Sequence, residues 1–329
     1  MAELRREPIA RRWVVIMATE TKGPEDYLVF KKPYRDLKPI EPCPFCPGNE
    51  GLTPQQILAI EDEDKGTWAV RVIPSKFPFF RSEGELDKRP EGMYDLMNAI
   101  GGHEIIIETP VHDGTLGKMG LDQIRRILMS YRERSSGLAR DGRFRQILIL
   151  KNHPGVFHRH PHSHVLAMPV IPRRIDEEIW GTLDYFRKKE RCIFCDIIRE
   201  EITLGKRLVL ETPHFLSFCP FASRYPFEIW IIPRRHSPDF VSIGDEELWD
   251  LASVMETIFG RLLRMLKNPP YSFAIHSSPV TEEHRRPEYH WHLEIRPRIG
   301  LREGFEWATG FFVNPTPPEL AATYLRETG

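Results

Sequence analysis

One pattern is used twice along this chain of 329 residues, and it leaves few folds open. Each copy starts with Cys-x-x-Cys, first Cys43-Pro44-Phe45-Cys46 and then Cys192-Ile193-Phe194-Cys195, with Phe ahead of the second cysteine both times. Each then runs through an apolar, strand-like stretch to a proline and a histidine. These are residues 104–107 leading to Pro110-Val111-His112, and residues 228–233 leading to His236. A long amphipathic helix is predicted next in each copy, over about 122–140 and 245–266, opened by Asp122 and Asp245 as caps. A second strand carries His-x-His, at His160-Pro161-His162 and at His290-Trp291-His292. The repeated order predicts an α+β protein of two fused halves, 1–178 and 179–329. Each half is expected to be an antiparallel sheet with a long helix packed on it, the two related by a pseudo-twofold.

The repeat also assigns metal ligands. A Cys-x-x-Cys pair needs two further donors for a closed tetrahedral zinc site, and matching histidines stand at matching places. Cys43, Cys46, His112 and His160 are expected to hold one zinc, and Cys192, Cys195, His236 and His290 the other. His103 also lies near a strand start, but the equivalent residue of the second half is read as Phe227, so His103 is not counted as a ligand. Closed four-ligand sites leave no open coordination position, so both zincs are expected to be structural.

The run His160-Pro161-His162-Ser163-His164 places three imidazoles at i, i+2 and i+4. Apolar residues on both sides, 147–150 and 165–168, read as strand. In an extended segment, rings two residues apart are anchored about 6.6 Å apart on one side of a sheet. With His160 held by metal, His162 is left as the free imidazole and the candidate nucleophile. Attack of a neutral ring nitrogen on phosphorus gives a phosphoramidate and splits a nucleotidyl transfer into two displacements. His164 is placed to donate to a nonbridging or leaving oxygen. The second half carries Glu294 at that position, which would repel a phosphate, so the second half reads as a degenerate copy.

Composition narrows the class. A formal net charge of −1 argues against a broad nucleic-acid surface. No apolar run approaches the ~18 residues of a membrane span, and the charged start lacks a signal-peptide core, so a cytoplasmic protein is expected. Five asparagines and four glutamines against 29 prolines and 28% charged residues suggest a thermophile.

Taken together, these residues resemble the galactose-1-phosphate uridylyltransferases, a branch of the histidine-triad superfamily with two triad-like halves in one subunit. The likeness runs along nearly the whole chain: Arg6-Glu7-Pro8 with Trp13-Val14-Val15, Cys43 and Cys46, the segment 71–78, Pro110-Val111-His112, His160-Pro161-His162 and the ending 310–326. It implies a histidine-triad-like first half with the HPHSH motif as catalytic centre and a second half with HWHLE as its degenerate counterpart. It also implies that His162 takes a nucleotidyl group from a nucleotide sugar, releases hexose 1-phosphate, and passes the nucleotide to a second sugar phosphate. UDP-glucose and galactose 1-phosphate are the first expectation. The resemblance further implies that Ser75, Lys76 and Phe77 line the nucleoside pocket, that Asn152 lies near the phosphates, and that Gly310 and Phe311 contact the sugar nucleotide. It also implies a homodimer.

Some features depart from the family. Where the transferases have glutamine two places after the nucleophile, this chain has His164, as in the histidine-triad hydrolases. The loop from 153 to 159 is short, with Arg159 or His158 available to bind phosphate. Glu20 and Gly23 precede Pro24 where the family has arginines, leaving Lys22 as the nearby base. The HWHLE motif and the ending 305–315 look closer to relatives that phosphorolyse ADP-glucose. An ADP-glucose or dinucleoside-polyphosphate phosphorylase or hydrolase is therefore the alternative, and a zinc-ribbon nucleic-acid binder a remote one.

Overall fold

The computed structural model describes residues 2–28, 41–62, 64, 66–155, 158–300 and 304–329. In chain order the strands of the first half are β1 (Ala2–Arg6), β2 (Trp13–Met17), β3 (Leu58–Asp62), β4 (Thr67–Pro74), β5 (Arg89–Glu91), β6 (Tyr94–Leu96), β7 (Gly102–Ile107), β8 (Gln146–His153) and β9 (His162–Met168). Helix α1 (Leu121–Leu138) lies between β7 and β8, and α2 (Arg173–Lys189) and α3 (Ile193–Leu204) follow β9. The second half contains β10 (Leu208–Glu211), β11 (Phe215–Phe218), β12 (Ile229–Pro233), α4 (Asp245–Leu266), β13 (Tyr271–His276) and β14 (His292–Pro297). The chain ends with α5 (Gly304–Thr309), β15 (Phe312–Asn314) and α6 (Pro318–Glu327).

The two expected sheets are one. Ten strands run in the order β10-β11-β12-β14-β13-β8-β9-β7-β4-β3, and every neighbouring pair is antiparallel. The halves join where β13 pairs with β8, from Tyr271 opposite His153 to Ile275 opposite Ile149. About this join the trio β7-β9-β8 mirrors β12-β14-β13. Leu150 faces His164 as Ala274 faces Glu294, and Ile105 faces His164 as Trp230 faces Glu294. The register thus equates His162 with His292 and His164 with Glu294.

Side-chain alternation divides the sheet into two faces. Val165 and Ala167 of β9 and Leu293 and Ile295 of β14 point to a core shared with α1 and α4, which pack against each other. Helix α1 presents Ile124, Ile127, Leu128 and Tyr131 to that core, and α4 presents Leu248, Leu251, Met255, Ile258 and Leu262. This i, i+3, i+4, i+7 spacing makes one apolar stripe. Neither aspartate caps its helix: Gly120 and Gly244 stand at the N-caps, and Asp122 and Asp245 lie in the first turn. There their charge complements the helix dipole. On α4 the cap role falls to Glu247, whose carboxylate accepts from the Gly244 amide at 2.9 Å.

The opposite face carries His162 and His164. Over the second half it is covered by α2 and α3, whose Ile175, Ile179, Phe194 and Ile198 pack on Leu216, Phe218, Trp230 and Ile232. Over the first half a smaller cluster of Phe45, Trp68, Ile73, Ile105 and Ile107 lies there. A separate small sheet pairs β1 with β2 antiparallel and β15 with β2 in parallel.

Candidate active site and metal centres

The histidine run is not one strand with its apolar flanks. Residues 146–153 and 162–168 form β8 and β9, antiparallel neighbours, and the chain reverses between them. Only His162 and His164 lie within β9, and His160 stands two residues before it. Val156 and Phe157 of the connecting loop lie outside the described residues.

Both four-residue ligand sets come together. The donor atoms of Cys43, Cys46, His112 and His160 lie within 4.8 Å of one another, and so do those of Cys192, Cys195, His236 and His290. A turn from Cys43 to Cys46, closed by the Cys46 amide on the Cys43 carbonyl at 3.3 Å, brings the first two sulfurs together. Cys46 Sγ is 3.3 Å from His112 Nδ1 and 3.6 Å from His160 Nδ1, and Cys43 Sγ is 3.8 Å from His160 Nδ1. In the second set Cys195 Sγ is 3.5 Å from His236 Nδ1 and 3.6 Å from His290 Nδ1, and Cys192 Sγ is 4.0 Å from His290 Nδ1.

The far ring nitrogens of three of these histidines are tied down. His160 Nε2 donates to the Thr109 carbonyl at 2.7 Å, His236 Nε2 to Pro287 at 2.7 Å and His290 Nε2 to Pro233 at 2.9 Å. With the proton fixed on Nε2, each Nδ1 keeps its lone pair toward the sulfurs, the second-shell arrangement of metal-binding histidines. Either group of four could hold a metal ion.

His162 uses the opposite nitrogen. Its Nδ1 donates to the His160 carbonyl at 2.7 Å, which leaves the Nε2 lone pair free for attack. Burial drives its pKa down to about 3, against the contrary pull of that hydrogen bond, so the ring is neutral near pH 7. His164 is likewise pushed down to about 4, first by burial and then by His103 and Lys151. The His162 and His164 rings lie 5.1 Å apart. A neutral nucleophile with a neutral donor beside it suits displacement at a phosphorus already carrying negative charge.

Two supports were not visible in the motif. Phe45, the residue before the second cysteine, is buried against His158, His160 and His162, with ring centroids 4.5, 6.1 and 5.5 Å away. Phe194 repeats this on His290 and His292. On the reverse face, Lys151 pairs with Glu108 in full burial and donates to the His162 carbonyl at 3.2 Å. The Tyr131 hydroxyl of α1 donates to Glu108 at 3.1 Å and is hydrogen-bonded to the Ser163 hydroxyl at 2.9 Å. This network clamps the backbone from which His162 projects.

The other sequence-derived positions are distributed unevenly. Ser75 follows β4 and its amide donates to the His103 carbonyl at 2.8 Å, while Lys76 and Phe77 are exposed, Phe77 by 81%. Phe79, unmarked in the sequence, stacks on His103 with centroids 4.9 Å apart. Asn152 lies on β8 two residues beyond Leu150, which faces His164, so it shares the His162 face. Its Oδ1 accepts from Ser272 at 2.7 Å. Arg159 is exposed immediately before His160. Gly310 and Phe311 lead into β15 of the small sheet, where Phe312 packs with Val14, Ile16 and Ala222. Within the described residues of one chain they thus border the small β1-β2-β15 sheet, and Phe311 makes a ring contact with Phe305.

The second half keeps the geometry and changes the chemistry. His292 Nδ1 donates to the His290 carbonyl at 3.2 Å, as His162 does to His160, but its Nε2 is buried without a hydrogen-bond partner. Glu178, His276, His292 and Glu294 form a third group of donors within 4.8 Å. Its carboxylates are already matched. Glu178 accepts from His276 at 2.9 Å and from the Tyr289 hydroxyl at 2.7 Å, and Glu294 pairs with Arg174 and with Arg224, the latter at 2.9 Å. Glu178 comes from α2, and all four side chains of the group are buried.

Comparison with known proteins agrees with this architecture. Two family models, described as the N-terminal and C-terminal domains of galactose-1-phosphate uridyl transferase, match residues 3–172 and 180–299. ADP-glucose phosphorylase of Arabidopsis thaliana is 33% identical over 331 residues, 99% of this chain and 92% of the relative. Galactose-1-phosphate uridylyltransferase of Thermotoga maritima is 27% identical over 343 residues, 100% of this chain and 99% of the relative. A crystal structure of an ADP-glucose phosphorylase from Arabidopsis thaliana with bound ADP-glucose matches with a TM-score of 0.82 at 32% identity, covering 99% of each chain.

Proposed function

Because the chain belongs to the galactose-1-phosphate uridylyltransferase family, we propose that it transfers a nucleotidyl group from a nucleotide sugar to an acceptor phosphate through a nucleotidyl-His162 intermediate. The observation that carries this is the Nδ1 bond from His162 to the His160 carbonyl, which aims a neutral Nε2 lone pair out of the strand. In the first displacement Nε2 bonds to the nucleotide's α-phosphorus as the P–O bond to the sugar phosphate breaks. In the second, an acceptor oxygen takes the nucleotidyl group and His162 is restored. His164 donates to the phosphoryl oxygens, Arg159 reaches the phosphates from the loop, and Asn152 holds a phosphate on the same face. Ser75, Lys76 and Phe77 line the nucleoside pocket.

For the substrates, phosphorolysis of ADP-glucose is the leading reading, on the Arabidopsis relative and its ADP-glucose-bound structure. Uridylyl exchange between UDP-glucose and galactose 1-phosphate is the second, on the Thermotoga relative. Brief mixing with each nucleotide sugar followed by intact-protein mass separates them. An adenylyl adduct only from ADP-glucose supports the first, and a uridylyl adduct only from UDP-glucose the second. Turnover by His162→Ala at the wild-type rate would overturn both.

The two Cys-His sets are read as structural zinc sites bracing the halves 1–178 and 179–329. Bonds of about 2.3 Å to sulfur and 2.0 Å to nitrogen on a tetrahedral ion put S and N roughly 3.5 Å apart, which the sulfur–nitrogen spacings of 3.3 to 4.0 Å bracket. Gly310 and Phe311 reach a sugar nucleotide across a homodimer interface. Exposed Trp307 and Phe305 beside them supply apolar surface for that contact.

A further inference from the structure

His103 is bound by the chain at three points and in turn holds His164. It lies on β7 two residues before Ile105, which faces His164, so its ring shares the His162 face of the sheet. The Ser75 amide donates to its carbonyl at 2.8 Å, the Phe79 amide donates to its Nδ1 at 3.2 Å, and the Phe79 ring stacks on it. Its Nε2 is 3.0 Å from His164 Nδ1.

These contacts allow one proton arrangement. A backbone amide only donates, so His103 Nδ1 bears a lone pair, and the proton of the neutral ring is on Nε2. That proton is donated to His164 Nδ1, which must then be unprotonated, and the His164 proton sits on Nε2. Burial holds both rings toward the neutral form in which this chain of bonds exists. The Phe79 amide therefore fixes, through two imidazoles, which atom His164 offers beside His162.

We infer that His103 is a positioning residue that couples the 75–79 segment to His164, fixing the ring orientation and the Nε2–H donor that His164 presents to the phosphoryl group being transferred. This rests on the proposed nucleotidyl transfer and identifies how its donor is set. His164 contributes a hydrogen bond and keeps its proton. The bonds exchanged remain N–P formed at His162 and P–O broken toward the sugar phosphate, with the electron pair leaving on oxygen. The second half offers an internal comparison. The sheet register equates His103 with Glu228, and Glu228 is linked to Glu294, the counterpart of His164, through Arg224 at 2.6 and 2.9 Å. The same pair of positions is coupled in both halves, by an imidazole in one and by a guanidinium in the other.

The test combines a double-mutant cycle with a tautomer measurement. His103→Ala is expected to lower kcat about 10–100-fold with KM changed less than about threefold, the usual loss when the partner of a working imidazole is removed. In a His164→Gln background the same change should alter kcat less than about threefold. His103→Gln, which keeps an N–H donor near the Nε2 position, should recover most of the loss. Independently of turnover, ¹⁵N spectra of the wild-type protein should show His164 protonated on Nε2 and bare on Nδ1. An unchanged kcat in His103→Ala, an equal loss in both backgrounds, or a His164 proton on Nδ1 would each overturn the inference. Absence of any adduct on wild-type His162 would overturn the proposed function instead, and the tautomer measurement would still decide the role of His103.

Discussion

Replacing Gly155 by alanine drives a methyl carbon into the imidazole of His162. A Cβ built on Gly155 lies 2.4 Å from His162 Cε1, 3.3 Å from its Nδ1 and 2.3 Å from the His158 carbonyl oxygen. Non-bonded carbons settle at about 3.5–4.0 Å, so ring and loop must separate by roughly 1 Å. The φ angle of Gly155 lies outside the left-handed region, so the perturbation is steric and falls on both the His162 ring and the His158 carbonyl of the loop above it. Because Nδ1 is tied to the His160 carbonyl, a displaced ring either breaks that bond or swings Nε2 off the line of attack. A misplacement of about 1 Å can cost ~100-fold in rate, equivalent to about 2.7 kcal/mol of barrier. The assay is kcat for nucleotide-sugar turnover, with the yield of nucleotidyl-His162 by mass and a melting curve to show that the fold survives. Gly142→Ala is the matched control, since a Cβ there meets nothing within 4 Å. A Gly155→Ala protein with kcat within threefold of wild type would refute the placement of His162 under the loop.

Two other perturbations test the supports of the site. Cys43→Ser and Cys192→Ser should each lower bound zinc by one equivalent in elemental analysis. The first should also cut adduct formation, because His160 supplies the carbonyl that orients His162; unchanged zinc content in either variant would remove the metal assignment. Lys151→Met leaves Glu108 buried with only Tyr131 as donor and should cost about 3–5 kcal/mol in urea unfolding, most of it restored by adding Glu108→Leu. A single-variant loss below about 1 kcal/mol would show that the pair is not the clamp it is taken to be.

The grouping of the candidate donors was legible because they are carried by short motifs repeated in order. The parallel positions of His112 with His236 and of His160 with His290 select the ligands from thirteen histidines, and all eight chosen donors converge. The two long helices α1 and α4 were legible within two residues for the same kind of reason, since apolar periodicity survives any tertiary arrangement, whereas α2, α3, α5 and α6 were not read. The joining of two sheets into one was not. Strands β8 and β13 each alternate as well at an edge as in a centre, and nothing local encodes that Tyr271 faces His153. The histidine run looked like one long strand because residues 147–150 and 165–168 are both apolar. They are antiparallel partners, and the Pro154-Gly155 turn signal between them was outweighed by the histidine spacing that follows it. His103 was set aside because matching the halves by their Glu-Ile strand starts, Glu104 with Glu228, placed Phe227 opposite it. Hydrogen-bond register, which sequence does not display, places Glu228 there.

In that register the two halves can be compared position by position. Both retain His-x-His with the second imidazole donating Nδ1 to the carbonyl of the first, and both brace it with the phenylalanine of Cys-x-Phe-Cys. Divergence lies in what meets the next residue of the strand on the same face. In the first half His164 and His103 are neutral rings beside a half-open surface, so a phosphate approaching His162 meets a neutral donor on the strand and no carboxylate. In the second half Glu294 and Glu228 share Arg224, Glu294 also takes Arg174, and α2 closes over them with Glu178 on His276 and Tyr289. Buried carboxylates on that face require cations to be tolerated, and beside them His292 is fully buried with its Nε2 unpartnered. Substituting Glu294 with histidine alone would therefore not revive the second centre, because Arg224, Arg174 and α2 would still occupy the place a phosphate needs.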